Sequence, residues 1–245
     1  MRQRLGREAP AHISCDVVSE SIPIIGATGA LGWGLAMRLA RAGQPVVIGS
    51  RSAERAEEAA GRVRDLVPGP EVEGLVNEEA AQRGPMVFLT VPFRAQSENL
   101  NNLRDFLRPG QILVDCTVPT AAAVGGKATR TLGVWQGSAA EQAKEMVPDG
   151  VTVIGALHTV SAKALGDPDE ALDEDILICG DRKADKARVA AIVEMVPGLR
   201  AVNAGALEMA RIAEQLTSLL ISINARYKTL AGIRVTGLGE GDHWS

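Results

Sequence analysis

The chain has 245 residues, with 26 Lys or Arg against 30 Asp or Glu and a formal net charge of −4. This acidic balance offers no general attraction for nucleic acid, and no apolar run approaches the roughly 20 residues that span a membrane. The three cysteines lie far apart without metal-ligand spacing, so we expect reduced thiols in a cytoplasmic protein and no metal site.

Residues 1–20 precede the first predicted strand and mix charged side chains with few apolar ones. They lack the continuous apolar core of a secretion signal. We expect a flexible tail outside the fold. An alternative is a start codon placed upstream of the natural one.

The stretch 22–51 carries the strongest motif. An apolar run ends at Gly26, and Gly29 and Gly32 follow as a helical repeat begins and leads to a second strand. Strand, glycine turn, helix and strand form the first βαβ unit of a dinucleotide-binding fold. Gly26 permits a sharp turn, Gly29 a close approach to pyrophosphate, and Gly32 tight packing of the helix on the sheet. A glycine turn without a ligand is the alternative.

The end of the second strand indicates which dinucleotide binds. NAD-binding proteins usually carry an acidic residue about 20 positions beyond the glycines, but here the chain reads Gly49-Ser50-Arg51, with Arg55 four residues later. Arg51 and Arg55 can hold a 2′-phosphate by charge-assisted bonds, and Ser50 can bind it through its hydroxyl. The sequence therefore predicts NADP(H). Two surface arginines, with Ser50 capping the next helix, are the alternative.

Strands and helices alternate beyond Arg51. The predicted strands are 72–76, 86–90, 112–114 and 151–156, and the helices are one ending near Asp65, one capped by Asn77, one at 96–107 and one with a Ser138/Glu141 capping box that ends near Pro148. This order predicts an α/β fold of the Rossmann type, with a doubly wound, mainly parallel sheet and helices on both faces.

Ligands of such sheets bind outside the carboxyl ends of the strands. Three of these ends are Thr90-Val91-Pro92, Thr117-Val118-Pro119 and Leu157-His158-Thr159. Threonine offers a hydroxyl, valine an apolar wall, and proline ends the ladder. Such loops suit a flat ring with a few carbonyl and N–H groups, although ordinary strand terminations are the alternative for the two Thr-Val-Pro ends.

His158 is the only histidine far from both chain ends. It is a candidate for general acid catalysis or for orienting a substrate ring through a hydrogen bond to a carbonyl. A partly buried histidine with only a structural bond remains equally open. No metal or nucleophile motif accompanies it, and hydride transfer between two bound rings needs none.

We expect a Rossmann domain at 21–157 and a smaller α/β-helical C-terminal domain at 158–245 packed on it. Its predicted elements are a strand at 175–179, a helix at 183–196, a strand at 199–203 and a helix at about 207–230. The charge-free middle of the last helix carries Leu216, Leu220 and Ile223 as an apolar seam. We expect this seam to form a homodimer interface, with a monomer core as the alternative.

The sequence resembles the F420:NADP oxidoreductases, which are NADPH-dependent reductases of the deazaflavin coenzyme F420. The resemblance runs from Ile24 to about Leu238 and rests on the glycine turn 26–34, Gly49-Ser50-Arg51 with Arg55, Thr90-Val91-Pro92, Ala156-Leu157-His158-Thr159, Cys179-Gly180-Asp181, Gly198-Leu199-Arg200 and Asn203-Ala204-Gly205. It implies a Rossmann domain, a small C-terminal domain, a homodimer and a deazaflavin stacked on the nicotinamide.

We therefore predict hydride transfer between NADP(H) and coenzyme F420. The predicted cofactor-binding residues are Gly26, Thr28, Gly29, Ala30, Leu31, Gly32, Ser50, Arg51, Arg55, Thr90, Val91 and Pro92, and the predicted substrate-binding residues are Thr117, Val118, Pro119, Leu157, His158 and Thr159. One alternative is an NADPH-dependent reductase of a small imine or carbonyl, with His158 or a threonine as proton donor. Another is a non-catalytic NADPH-sensing protein.

Overall fold

The computed structural model describes residues 20–239 and Trp244, so all but the last residue of the predicted N-terminal tail lies outside the described part. The strands are β1 (Ile22–Ile25), β2 (Val46–Ser50), β3 (Val72–Val76), β4 (Met86–Leu89), β5 (Ile112–Asp115), β6 (Thr152–Gly155), β7 (Glu174–Cys179) and β8 (Leu199–Gly205). The helices are α1 (Ala30–Arg41), α2 (Ala53–Leu66), α3 (Asn77–Ala80), α4 (Gln96–Leu103), α5 (Ala139–Met146), α6 (Ala162–Gly166), α7 (Lys183–Glu194) and α8 (Ala210–Tyr227).

The eight strands form one sheet in the order β3-β2-β1-β4-β5-β6-β7-β8. The first six strands pair in parallel, as do β7 and β8, and only β6 and β7 pair antiparallel, through Gly155 and Cys179. The prediction of a doubly wound, mainly parallel sheet is confirmed. The last two strands continue the same sheet, and the division into two domains at residue 157 stays a prediction.

Apolar side chains cover both faces of the sheet, which is why the central strands β1, β2, β4 and β5 are mostly apolar. Ile24 and Phe88 belong to one buried cluster with residues of α1, α2 and α7. Ile25 and Leu89, their neighbours along the strands, belong to a second cluster with residues of α4, α5 and α8. Successive side chains of a strand point to opposite faces, so these short strands anchor a helical layer on each side.

Two predicted helix boundaries are wrong. The helix predicted at 96–107 ends at Leu103, after a 3₁₀ turn over 93–95. Asn77 does not cap α3 but is its first residue, and its side chain donates to Asn99 Oδ1 at 3.1 Å. The capping prediction for α5 is confirmed, because the Ser138 hydroxyl accepts from the Glu141 N–H at 3.0 Å.

The apolar seam predicted on α8 differs from the structure at Leu220, which faces the interior of the chain rather than the exposed side of the helix. Leu220 is only 7% exposed, so it is buried within the single chain, whereas Leu219 is 55% and Ile212 47% exposed. In the part of the chain that the structure describes, none of the helices combines the length and apolar character needed to span a membrane.

Candidate functional site

A cleft of about 710 Å³ lies across the carboxyl ends of the parallel strands. Most predicted site residues line it, namely Gly26, Thr28, Gly29, Ala30, Leu31, Ser50, Arg51, Arg55, Thr90, Val91, Pro92, Val118, Leu157 and His158. Gly32, Thr117, Pro119 and Thr159 are not among the lining residues. The sheet therefore brings together the glycine turn, the arginines and all three strand-end loops.

The glycine turn is packed closely against the end of β4. Gly26 has a φ of +79°, and a Cβ there would lie 2.6 Å from Val91 Cγ1. A Cβ on Gly32 would lie 2.3 Å from Thr90 Oγ1, which explains why Gly32 supports the wall without lining the cleft. Gly29 is the N-cap of α1 and has no side chain to cap the first turn. N–H groups at such a helix start suit a phosphate.

The rim beside the end of β2 carries two cations. Arg51 and Arg55 are exposed, and neither makes an ion pair with another described residue. Ser50 is buried, and its hydroxyl accepts from the Ser52 N–H at 3.4 Å. Ser52, rather than Ser50, caps α2 by accepting from the Arg55 N–H. The arginines and the start of α2 thus form a site suited to a phosphate.

Sequence reasoning missed several lining residues. Asn77, Phe93, Arg94, Asn99 and Cys116 line the cleft beside the predicted residues. Asn77 is 4% exposed, and its Oδ1 has no hydrogen-bond partner within residues 20–239. Asn77 follows β3 directly, so the strand-end argument applied to β3 would have found it. Phe93 adds an aromatic side chain one residue beyond the Thr90-Val91-Pro92 loop.

The His158 ring is buried in the wall of the cleft. His158 is 5% exposed, and neither ring nitrogen has a partner in hydrogen-bonding geometry among the described residues. Desolvation lowers the pKa of His158 to about 4, although the nearby Asp115 backbone favours the protonated ring slightly. The imidazole is therefore neutral near pH 7. It can give one hydrogen bond to a ring carbonyl but is a poor proton donor.

The backbone that carries His158 is unusual. Leu157 has a φ of +61° and is 1% exposed. A left-handed conformation is strained for a leucine and persists only where surrounding contacts enforce it. One such contact comes from Thr217 of α8, whose hydroxyl donates to the His158 carbonyl at 2.7 Å. Helix α8 therefore helps to shape this side of the cleft.

The chain is similar in sequence to proteins of known activity over most of its length. The family model described as NADP oxidoreductase, coenzyme F420-dependent, matches residues 21–119. The F420-dependent NADP reductase of Methanothermobacter thermautotrophicus is 42% identical over 228 residues, which cover 91% of this chain and 98% of that protein. The F420-dependent NADP reductase of Methanocaldococcus jannaschii is 38% identical over 222 residues, covering 89% and 98%.

Solved structures share the fold at lower identity. A structure from Arthrobacter sp. FB24, provisionally described as an F420-dependent NADP reductase, is 24% identical with a TM-score of 0.70, covering 89% of this chain and all of that chain. An imine reductase from Streptomyces aurantiacus is 20% identical with a TM-score of 0.58, covering 85% and 64%. Because one fold hosts several reactions, these two likenesses bear on architecture alone.

Proposed function

The chain belongs to the family of coenzyme F420-dependent NADP oxidoreductases, and we propose that it transfers a hydride directly between NADP(H) and the deazaflavin coenzyme F420. The observation that carries the proposal is one cleft that joins the glycine turn and two exposed arginines to apolar strand-end loops. NADPH supplies the hydride chemistry. The protein supplies binding and alignment, which can contribute roughly 7–11 kcal/mol to lowering the barrier.

The glycine turn and the arginine rim fit NADP(H). The tight turn at Gly26 leaves the start of α1 open to a pyrophosphate. Arg51 and Arg55 present charges that a 2′-phosphate requires, and a carboxylate does not occupy the end of β2. We propose that these residues bind NADP(H) in preference to NAD(H).

The opposite half of the cleft fits a planar ring. Val91, Val118 and Leu157 give it apolar walls, and the neutral His158 ring can donate one hydrogen bond at its edge. A second ring held there would stack on the nicotinamide, so hydride could pass without a protein acid or base. The lowered pKa of His158 counts against the alternative in which this residue protonates an imine or carbonyl.

Mixing the protein with NADPH and oxidised coenzyme F420 tests the proposal. The absorbance of the oxidised deazaflavin should bleach as NADPH is consumed in equal amount. Arg104→Ala serves as the control variant, because it removes an exposed positive charge that lies outside the cleft. The deazaflavin absorbance should bleach at the wild-type rate with this variant. Persistent deazaflavin absorbance, while a small imine is reduced by NADPH, would overturn the proposal in favour of imine reduction.

We also propose that the protein is a homodimer that associates through α8. Met209, Ile212 and Leu219 are 38%, 47% and 55% exposed, and Leu216 and Ile223 of the same stripe are half-buried. Their spacing of three and four residues places them along one stripe of the helix. A second copy of the same stripe is a complementary partner under two-fold symmetry.

Light scattering at micromolar concentration tests the dimer. The wild type should have twice the mass of the 25.7 kDa chain, and Leu219→Glu should yield monomer because a charge then enters the contact. Gln215→Glu is the matched control, since it adds the same charge at an exposed polar position of the same helix. A wild-type mass of one chain would refute this interface.

We infer further that the protein works in the cytoplasm. Cys116 and Cys179 are free thiols, the state that cysteines keep in a reducing compartment. Burial raises the pKa of both, which favours the unreactive thiol form. Detection of the protein in an extracellular or membrane fraction of its native cells would contradict this inference.

A further inference from the structure

Gln96, the first residue of α4, is fully buried beneath the substrate half of the cleft. Its Nε2 group lies 2.7 Å from Asp115 Oδ2, 2.9 Å from Thr117 Oγ1 and 2.9 Å from the Ala139 carbonyl. Its Oε1 accepts from Gln142 Nε2 at 2.6 Å. One side chain therefore connects α4 with the end of β5 and the start of α5, and both ends of its amide are fixed by their partners.

Asp115 links Gln96 to the cleft, because it binds the backbone and side chain of Thr117 just before the residues that line the cleft. Asp115 is the last residue of β5 and is fully buried. Its Oδ1 accepts from the Thr117 N–H at 3.0 Å and from the Thr117 hydroxyl at 2.7 Å. Val118 and Thr120, which follow directly, line the cleft. The Asp115 carboxylate thus fixes the turn from which this wall is built.

Helix α8 joins the hydrogen bonds around Gln96 through the start of α5. Glu214 is 1% exposed, and its carboxylate accepts from the N–H groups of Ala139 at 2.9 Å and Ala140 at 3.1 Å. Because Ala139 also accepts from Gln96, the hydrogen bonds run without a gap from α8 to the Thr117 turn. Thr217, one helical turn further on, holds the His158 carbonyl.

We propose that Gln96 is a positioning residue for the deazaflavin half of the cleft, which it controls by holding Asp115 and so setting the place of the Val118 wall. This inference rests on the proposed function. Gln96 is not among the lining residues, so it acts through Asp115 and Thr117. The arginine rim lies at the end of β2 and the start of α2, so we expect NADP(H) binding not to depend on Gln96.

The titratable groups around Asp115 supply no positive charge, so its carboxylate depends on hydrogen-bond donors. Cys116 follows it directly in the chain, Glu214 faces it from α8, and His158 lies against its backbone from the loop after β6. Neither Cys116 nor Glu214 supplies positive charge, and the His158 ring is neutral. The Asp115 carboxylate is therefore held by hydrogen bonds from Gln96 and Thr117, and loss of one donor leaves a buried acceptor unpaired.

Gln96→Glu tests the proposal with almost no change of shape. Near neutral pH the new carboxylate cannot donate to Asp115, whereas in acid the protonated side chain can. The KM for coenzyme F420 should rise about tenfold at about pH 8 and recover towards about pH 5.5, while the NADPH Kd changes less than about twofold. Gln111→Glu is the matched control, because Gln111 is a buried glutamine that donates to the Ala81 and Gly84 carbonyls near the start of the same strand.

Hydrogen exchange gives a readout that needs no turnover. The Thr117 N–H should exchange faster in Gln96→Glu than in the wild type and Gln111→Glu. Equal KM values in both variants, or unchanged exchange at Thr117, would overturn the inference while the proposed function stands. If the wild type does not reduce coenzyme F420, the proposed function fails. The exchange rate of the Thr117 N–H then decides by itself whether Gln96 positions the wall of the cleft. Should Gln96→Glu not fold, Thr117→Val should raise the same KM and Thr117→Ser should restore it.

Discussion

Replacing Gly26 by alanine should separate two costs that the glycine turn avoids. Gly26 has a φ of +79°, and its Cβ would lie 2.6 Å from Val91 Cγ1 and 3.4 Å from the Val91 backbone. Gly43, at the end of α1, has a φ of +86° with nothing within 4 Å of its Cβ position. Gly43→Ala therefore introduces the backbone strain alone, whereas Gly26→Ala introduces the strain and a collision with the cleft wall.

The two costs differ enough to be measured. A left-handed conformation costs a residue with a Cβ about 1–2 kcal/mol, and this is the whole loss expected for Gly43→Ala. Overpacking a filled site adds about 1–3 kcal/mol, so Gly26→Ala should lower the free energy of unfolding by about 2–5 kcal/mol in total. Only Gly26→Ala should also weaken NADPH binding, because the collision displaces the turn that leads into the uncapped start of α1.

Urea unfolding of the protein without cofactor measures these losses, and a double variant assigns the collision. Val91→Ala removes Cγ1 and should cost about 2 kcal/mol by itself because Val91 is buried. In Gly26→Ala/Val91→Ala the collision is gone, so the double loss should be smaller than the sum by at least about 1 kcal/mol. Additive losses, or equal losses for Gly26→Ala and Gly43→Ala, would refute this account.

Three further changes test the site. Arg51→Ala should reduce the preference for NADPH over NADH about tenfold and leave NADH affinity nearly unchanged, since a hydrogen bond to a charged group contributes about 1.5–3 kcal/mol. The control Arg104→Ala should change neither the NADPH affinity nor the NADH affinity. An equal loss of affinity for both cofactors in Arg51→Ala would mean that Arg51 supports the fold. His158→Ala should raise the KM for coenzyme F420 more than it lowers kcat, and steady-state kinetics showing the reverse would identify His158 as a proton donor. Burial, with the nearby Asp115 charge, raises the pKa of Glu214 to about 8, and burial raises that of Asp115 to about 6. The folded state therefore holds protons at these two carboxyl groups that the unfolded chain releases, so their contribution to stability should be complete below about pH 4 and be lost as pH rises to about 8. Glu214→Gln should flatten the upper part of that decline in urea unfolding, and an unchanged slope between about pH 6 and 8 would contradict the assignment.

Local sequence determined the half of the cleft that we propose to bind the dinucleotide. The turn at Gly26, the strand end at Ser50 and the charges of Arg51 and Arg55 are consecutive or nearly so in the chain. Their conformations depend on neighbours within a few residues, through the lack of a Cβ, the end of a ladder and the start of a helix. Strand-end reasoning also found Val91, Val118 and His158, because parallel strands bring their carboxyl ends to one edge.

Tertiary packing decided what holds the other half of the cleft. Gln96 reads in sequence as an ordinary helix start, yet its burial against Asp115 turns it into a connection between three elements. Thr117 reads as a ligand contact, but its hydroxyl is used by Asp115. Glu214 lies 75 residues from the Ala139 N–H to which it binds. Hydrogen bonds over such separations leave no periodic pattern in the sequence, so only the folded chain shows which polar side chains lie together.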